Sequence, residues 1–163
     1  MSKYIILLLL LSPVGIFMSS DQRFYGIGDT FNVTVTISPN NNSVVAYQID
    51  TMFNPAVIQV NSVTKGNLFA NISPNGAFYS SGAINNSRGT INDTFHAIIG
   101  RHNTSQEGIA HTYNVTTIGY GRPDIALYDV KISDPDGLPL NYTIISNFIK
   151  VTRFGKITGR TTV

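Results

Sequence analysis

The sequence predicts an all-β protein, a two-sheet jelly-roll β-sandwich of about nine strands. Apolar and polar side chains alternate along one run after another, the pattern of strands with one buried and one solvated face. Turn-forming residues separate nearly all of these runs. No stretch keeps a helical period beyond a turn or two, and only 54–58 and 66–70 have room for one short turn each. Many short strands, each with one apolar face, suit two packed sheets better than a closed barrel.

At the N-terminus Lys3 precedes an apolar stretch from Tyr4 to Met18, broken by Ser12, Pro13 and Gly15 and running into Ser19 and Ser20. A charged start, an apolar centre and small residues at the end make a secretory signal. The stretch is too short, and too broken by proline, for a membrane span of roughly 20 apolar residues. Residues 1–20 are therefore assigned to a leader, and the mature protein is expected outside the cell or at its surface. Residues 21–151 make one domain, long enough to bury a single core. Residues 152–163 read as a basic tail or as the start of a further β segment. Cysteine is absent, so this exported domain must be held by its core without disulfides, which suits an archaeal surface protein.

Within the domain, Phe31, Val33, Val35 and Ile37 alternate with Asn32, Thr34, Thr36 and Ser38. A second run sets Val45, Tyr47, Ile49 and Thr51 against Ala46, Gln48, Asp50 and Met52, and Asn54-Pro55 stops it because proline has no ladder donor. Further strands are expected over Val57–Thr64, Phe78–Ala83, Thr90–Ile99, Ala110–Ile118, Asp124–Ser133, Tyr142–Ile145 and Phe148–Val151. Two connections, Asn85-Asn86-Ser87-Arg88-Gly89 and Asp134-Pro135-Asp136-Gly137, are rich in residues that tolerate tight turns and read as hairpin tips or sharp loops.

The formal charge is +2, yet its placement argues against nucleic acid. Between Asp21 and Ile149 six basic residues stand against all nine acidic ones, a net of −3. The basic excess lies in Lys3 and in Lys150, Arg153, Lys156 and Arg160, so no basic stripe is available to neutralise phosphates.

Asn-x-Ser/Thr occurs at Asn32, Asn41, Asn71, Asn85, Asn92, Asn103, Asn114 and Asn141. The composition alone gives about three such matches, so N-glycosylation of some of these sites is expected. Alternation accounts for part of the excess, because it places polar residues two apart on one strand face. It accounts for nothing at Asn41, Asn85 and Asn103, which lie in polar turns where a glycan would be solvated.

Catalysis has no foothold in the residues. There is no cysteine nucleophile, one glutamate (Glu107), and no Gly-x-Ser-x-Gly elbow. Asp124 and Asp129 do not form the facing carboxylate pair that glycoside hydrolysis needs. His96, His102 and His111 match no compact ligand spacing and read as three unrelated surface histidines, so no metal site is assigned. The turn at Asp134 resembles the opening of a calcium loop but has Ile145 where the twelfth, acidic ligand belongs, and reads as a plain turn.

Gly28-Asp29-Thr30 leading into an alternating strand, then Ala46-Tyr47-Gln48-Ile49-Asp50 and Phe53-Asn54-Pro55-Ala56-Val57-Ile58-Gln59-Val60, resemble the cellulosomal cohesin modules. Val63 to Phe69, the hairpin around Arg88-Gly89-Thr90-Ile91, and Leu127 to Asp134 follow in the same order, so the resemblance spans about Gly26 to Val151. It implies a nine-stranded jelly roll related to carbohydrate-binding modules. It also implies a non-catalytic role, with no cofactor of its own, holding a calcium-loaded dockerin on one flat sheet face. In cohesins that face includes the strands matching Phe78–Ala83 and Thr90–Ile99. Alternation turns Ile91, Phe95, Ala97 and Ile99 inward, which leaves Tyr79, Ser81, Asn92, Thr94 and His96 as the expected partner-binding positions. Two other uses of the same sandwich are open. One is a carbohydrate-binding module that offers Tyr25, Tyr79 and Tyr120 to a polysaccharide. The other is a surface-layer or filament subunit that self-associates by adding its tail, Thr152 to Val163, as a strand to a neighbour.

Overall fold

The computed structural model describes residues 12–72, 76–100, 102–147 and 149–152. Eleven strands run in chain order: β1 (Val14–Ser20), β2 (Phe24–Tyr25), β3 (Thr30–Ser38), β4 (Ala46–Met52), β5 (Ile58–Lys65), β6 (Ala77–Asn85), β7 (Thr90–Ile98), β8 (Gly108–Thr117), β9 (Ala126–Ser133), β10 (Tyr142–Ser146) and β11 (Lys150–Val151). They form a five-stranded sheet ordered β10-β1-β3-β8-β5, a four-stranded sheet ordered β6-β7-β4-β9, and a small β11-β2 pair. Only the β1–β10 and β2–β11 pairings are parallel. Among the described residues there is no helix, and the two expected short turns, at 54–58 and 66–70, are turns. The two sheets face each other as a jelly-roll sandwich, as predicted.

The core forms where period-2 alternation turns apolar residues inward from both sheets. From the five-stranded sheet come Val33, Val35, Ile37, Tyr113 and Val115, and from the other Tyr47, Ile49, Ile91 and Ile132, each at most 2% exposed. Burying each aliphatic side chain contributes about 1.5–3 kcal/mol. Among the described residues this packing carries the fold without any covalent cross-link.

β1 corrects the sequence reading. Val14, Ile16 and Met18 alternate inward with 0%, 0% and 5% exposure, and the strand lies between β3 and β10, paired from Gly15–Ser38 to Ser20–Val33. A boundary at residue 21 therefore falls inside the sandwich, and the domain takes in residues 14–20, which had been assigned to the leader. A signal segment and a buried strand are both apolar, so the strand's alternation was masked by the apolar run before it. The rest of the expected leader, residues 1–11, lies outside the described residues. So does the tail from residue 153 onward; Thr152 itself donates its N–H to the Tyr25 carbonyl at 2.8 Å.

Turn chemistry fixes the registers. At the β6–β7 hairpin the Asn85 side-chain oxygen accepts the Arg88 N–H at 3.0 Å, and Gly89 takes φ 70°, where a Cβ would meet the Phe53 carbonyl oxygen at 2.1 Å. The neighbouring Asn86 amide accepts the Val60 N–H (2.8 Å) and donates to the Val60 carbonyl (3.0 Å), so it caps the backbone of the β5 edge. After β9, Asp134 Oδ1 accepts the N–H groups of Asp136 and Leu138 at 3.0 and 2.7 Å. That carboxylate is engaged by its own turn, in keeping with a plain turn.

Candidate functional site: the outer face of the four-stranded sheet

The four-stranded sheet does not follow simple alternation. Opposite β4, Ile49 pairs with Thr94 and Thr51 with Ile91, so Asn92 and Asp93 together face Asp50 alone. This is a β-bulge, and Asp93 supplies it with φ 61°. Asp50 Oδ1 holds the bulge by accepting the Asp93 N–H at 2.8 Å, and Gly82, with φ 77°, lies opposite Asp93 on β6. A second bulge sits on β9, where Asp129 has φ 43° and the β4–β9 register shifts between Gln48 and Asp50.

The bulge at Asp93 inverts the phase of β7 after Asn92, which overturns part of the expected site. Thr94 (0% exposed) and His96 (3%) point into the core instead of outward. Phe95 and Ala97, expected inside, lie half-buried on the outer face, and Ile99 is exposed. Of the other expected positions, Ser81 is exposed and Asn92 half-buried, its side-chain oxygen accepting the Tyr128 hydroxyl at 2.7 Å. Tyr79 turns its ring inward against His96, with its hydroxyl buried and unpartnered among the described residues.

What the inversion brings to the surface is an aromatic pair. Phe95 stacks on the neighbouring strand's Phe78, ring centroids 5.5 Å apart and interplanar angle 26°, and Phe78 is 59% exposed. Sequence reasoning missed both rings. The signals were a glycine inside the β6 pattern and an Asn-Asp pair inside the β7 pattern, both associated with bulges. Across the same face, on β9, Lys131 bonds Asp129 at 2.8 Å. The hydrogen bond to Asp129, with the charges of Asp129, Asp50 and Asp93 behind it, holds the Lys131 ammonium above its ordinary pKa. Partial desolvation, and then the same three carboxylates, raise the Tyr128 phenol. The face thus combines an aromatic pair on its β6–β7 side with a carboxylate-rich, charged flank toward β9.

Beneath it lies a buried polar layer. His96 packs edge-on against Phe69 and Tyr79, at 4.8 and 5.4 Å between ring centroids. His111 Nε2 shares a 2.6 Å hydrogen bond with the Tyr113 hydroxyl, which in turn shares one of 2.6 Å with Thr51 Oγ1. Burial, with the Lys65 charge adding, pushes the His96 imidazole down to about 4, and burial alone takes His111 down to about 3. Two of the three histidines read as surface groups are therefore neutral core residues, while His102 is exposed. Among the described residues no three His, Asp or Glu side chains gather closely enough to hold a metal ion.

The tyrosines expected for sugar stacking do not form a platform. Tyr25 is 3% exposed and stacked on Phe31 at 3.7 Å, Tyr79 faces inward, and only Tyr120 of the three is well exposed. The sequons are spread elsewhere. Asn32 and Asn114 sit side by side on the outer face of the five-stranded sheet, joined by a 3.0 Å side-chain bond, and Asn61 extends that ladder to Asn114 and Thr116 at 2.9 Å each. Asn41, Asn71 and Asn103 lie in loops, Asn85 ends β6 at the hairpin tip, and Asn141 immediately precedes β10. Asn92 is the sequon that falls within the four-stranded face.

A two-sheet jelly roll in which one sheet face bears a stacked aromatic pair defines the class, a β-sandwich module. The cohesin domain family model matches residues 26–134, and the chain belongs to the cohesin family. Solved structures agree at the level of fold. A chain of a type II cohesin–X–dockerin complex from Acetivibrio cellulolyticus superposes with a TM-score of 0.71 at 15% identity, over 85% of this chain and 99% of that one. A non-cellulosomal cohesin from the hyperthermophilic archaeon Archaeoglobus fulgidus gives 0.61 at 17% identity, over 86% of this chain and 92% of its own. A type II cohesin module from the Acetivibrio cellulolyticus adaptor ScaA scaffoldin gives 0.70 at 16%, over 85% and 90%. No curated protein matches the chain.

Proposed function

We propose that this chain is a non-catalytic module that binds a dockerin-type partner protein through the outer face of the four-stranded sheet, at the cell surface or in an extracellular complex. The observation that carries the reading is the Phe78–Phe95 stack on the β6–β7 side of that face, with Phe78 59% exposed. Exposed aromatic rings backed by a rigid sheet are the usual anchors of a protein interface, because they bury large area at little cost in side-chain entropy. Family membership supports the partner class. The apolar, lysine-led N-terminus and the excess of sequons support export.

The binding set differs from the one alternation predicts. Phe78 and Phe95 are the anchors, Asn92, Tyr128 and Lys131 form a polar rim, and the inward-facing Tyr79, Thr94 and His96 act only as support. A glycan on Asn92 would occupy the same face and disrupt the bond to Tyr128, so the binding form carries Asn92 unmodified. The test is titration of the unglycosylated chain against a panel of calcium-loaded dockerin modules, with chelated controls. Saturable, calcium-dependent binding to at least one module is expected. A panel without any binder, alongside tight binding to a polysaccharide, would overturn the reading in favour of a carbohydrate-binding module.

A further inference from the structure

The β6–β7 hairpin sits in a register that its own apolar pattern does not favour. Tyr79 and His96 turn inward, where the Tyr79 hydroxyl and both His96 ring nitrogens are buried and unpartnered among the described residues, while Phe78 is left exposed on the outer face. Buried polar atoms without hydrogen bonds and large rings left in water both cost stability. Simple alternation along the same two strands gives the reverse, with Phe78, Phe95 and Ala97 inward and Tyr79, Thr94 and His96 outward. Natural chains break such local rules chiefly at functional sites.

One extra residue separates the two registers. Met52 pairs with Thr90 and Thr51 with Ile91, and beyond Asp93 the pairing runs one residue further along β7, from Ile49–Thr94 to Ala46–Ala97. Without the extra residue Ile49 would meet Asp93, Gln48 Thr94, Tyr47 Phe95 and Ala46 His96, and every side chain of β7 from Asp93 on would change faces. β6 would turn over with β7, because the two keep one register from Ala77–Ile98 to Asn85–Thr90. Two features hold the extra residue in place. Asp93 and the Gly82 opposite it adopt φ 61° and 77°, a region open to glycine and to few other residues besides aspartate and asparagine. Asp50, itself only 9% exposed, accepts the Asp93 N–H at 2.8 Å.

We infer that Asp50 is the positioning residue of this face: through its bond to the Asp93 N–H it selects, between two registers open to the β6–β7 hairpin, the one that presents Phe78 and Phe95. Asp50 thus acts on a partner through the backbone of β7. The register belongs to the free chain, and only its consequence for binding rests on the function proposed above.

Two charge-matched double variants of the full chain provide the test. Asp50→Asn/Asp93→Gly keeps an acceptor oxygen at position 50 and a residue at ease with positive φ at position 93. Asp50→Ala/Asp93→Val removes the acceptor and sets a β-branched residue against that φ, while suiting the inward place that simple alternation gives position 93. The His96 ring signals in an NMR pH titration read the register without any partner. Packed against Tyr47, Phe69 and Tyr79, with the Lys65 charge acting on it, His96 should not titrate above about pH 5 in the wild type or the first variant. In the second variant His96 turns outward and should titrate near the ordinary 6.5. Binding of the tightest module from the calcium-loaded dockerin panel should then fall roughly 30- to 1,000-fold, as for loss of both rings. A second variant that does not fold, or in which His96 still fails to titrate above about pH 5, would overturn the inference, because the alternative register would not then be open to the chain. So would a first variant in which His96 titrates near 6.5. If His96 moves as expected and binding is unchanged, Asp50 still sets the register and the partner contacts another surface. If no module binds the wild type, the titration alone decides the register.

Discussion

The outer faces of the two sheets are built from similar alternating runs and end up with opposite characters. On the five-stranded sheet, β3, β8 and β5 face outward with Thr30, Asn32, Asn114, Thr116 and Asn61, joined across strands by side-chain bonds of 2.9–3.0 Å into a polar ladder. On the four-stranded sheet, the bulge at Asp93 opposite Asp50 turns Thr94 and His96 inward and brings Phe95 out to meet Phe78. A one-residue insertion in one strand exchanges the whole set of side chains beyond it between core and surface. The five-stranded sheet has register shifts of its own, between Val35 and Thr36 against β8 and between Val60 and Ser62, and keeps Asn and Thr outward, whereas the shift at Asp93 brings rings to the surface of the four-stranded sheet and suits that face to protein recognition.

The largest expected effect tests what supports both faces. A chain starting at residue 21 loses β1, and with it the burial of Val14, Ile16 and Met18, about 5–9 kcal/mol in all, against a typical total stability of 5–15 kcal/mol. Circular dichroism and thermal melting should show no cooperative fold. A truncated chain that melts like the full one would remove β1 from the sandwich.

On the bulged sheet, Phe78→Ala/Phe95→Ala should weaken partner binding by about 2–4 kcal/mol, roughly 30- to 1,000-fold, while the melting temperature moves little because the rings are on the surface. Asn32→Ala/Asn114→Ala on the other sheet should leave binding unchanged in the same titration.

The buried histidines beneath the bulged face give a pH dependence with a definite sign. Both are held neutral in the fold, with pKa values lowered to about 4 and about 3, while an imidazole in the unfolded chain protonates near 6.5. The unfolded state therefore binds more protons below that pH, so the stability they contribute is complete above about 6.5 and is lost as pH falls. At pH 5 the loss from His111 is about 2 kcal/mol, with His96 adding in the same direction. His96→Phe removes two unpartnered ring nitrogens, so denaturant melts should find it no less stable at pH 7 and flatter between pH 6.5 and 4.

The smallest effect probes the bulge itself. Asp93→Gly relieves a left-handed backbone conformation at φ 61° and should change stability by no more than about 1 kcal/mol, in the stabilising direction. Asp50→Ala instead removes the carboxylate that holds the Asp93 N–H and should cost about 1–3 kcal/mol.

The contrast also explains what could be read in advance. Strands β3 and β4 were legible because Phe31–Ile37 and Val45–Thr51 alternate without interruption and turn residues bound them. β1 was hidden because its Val14, Ile16 and Met18 continue an apolar run that also fits a leader. On β7 the face residues failed at one point, Asp93. An aspartate with positive φ looks in sequence like any outward polar residue, and the error then propagated to Thr94, Phe95, His96 and Ala97. On β6, Tyr79 and Ser81 pair with His96 and Thr94 and share their inward side, while Asn92, before the bulge, kept the outward side expected of it.

Hydrogen exchange of the chain, free and saturated with a dockerin-type partner, locates the bound face. New protection is expected in β4, β6, β7 and β9 around Gln48, Phe78, Phe95 and Lys131, with the β3–β8 ladder unchanged. Protection confined to β3, β5 and β8 would place the partner on the Asn/Thr face and contradict it.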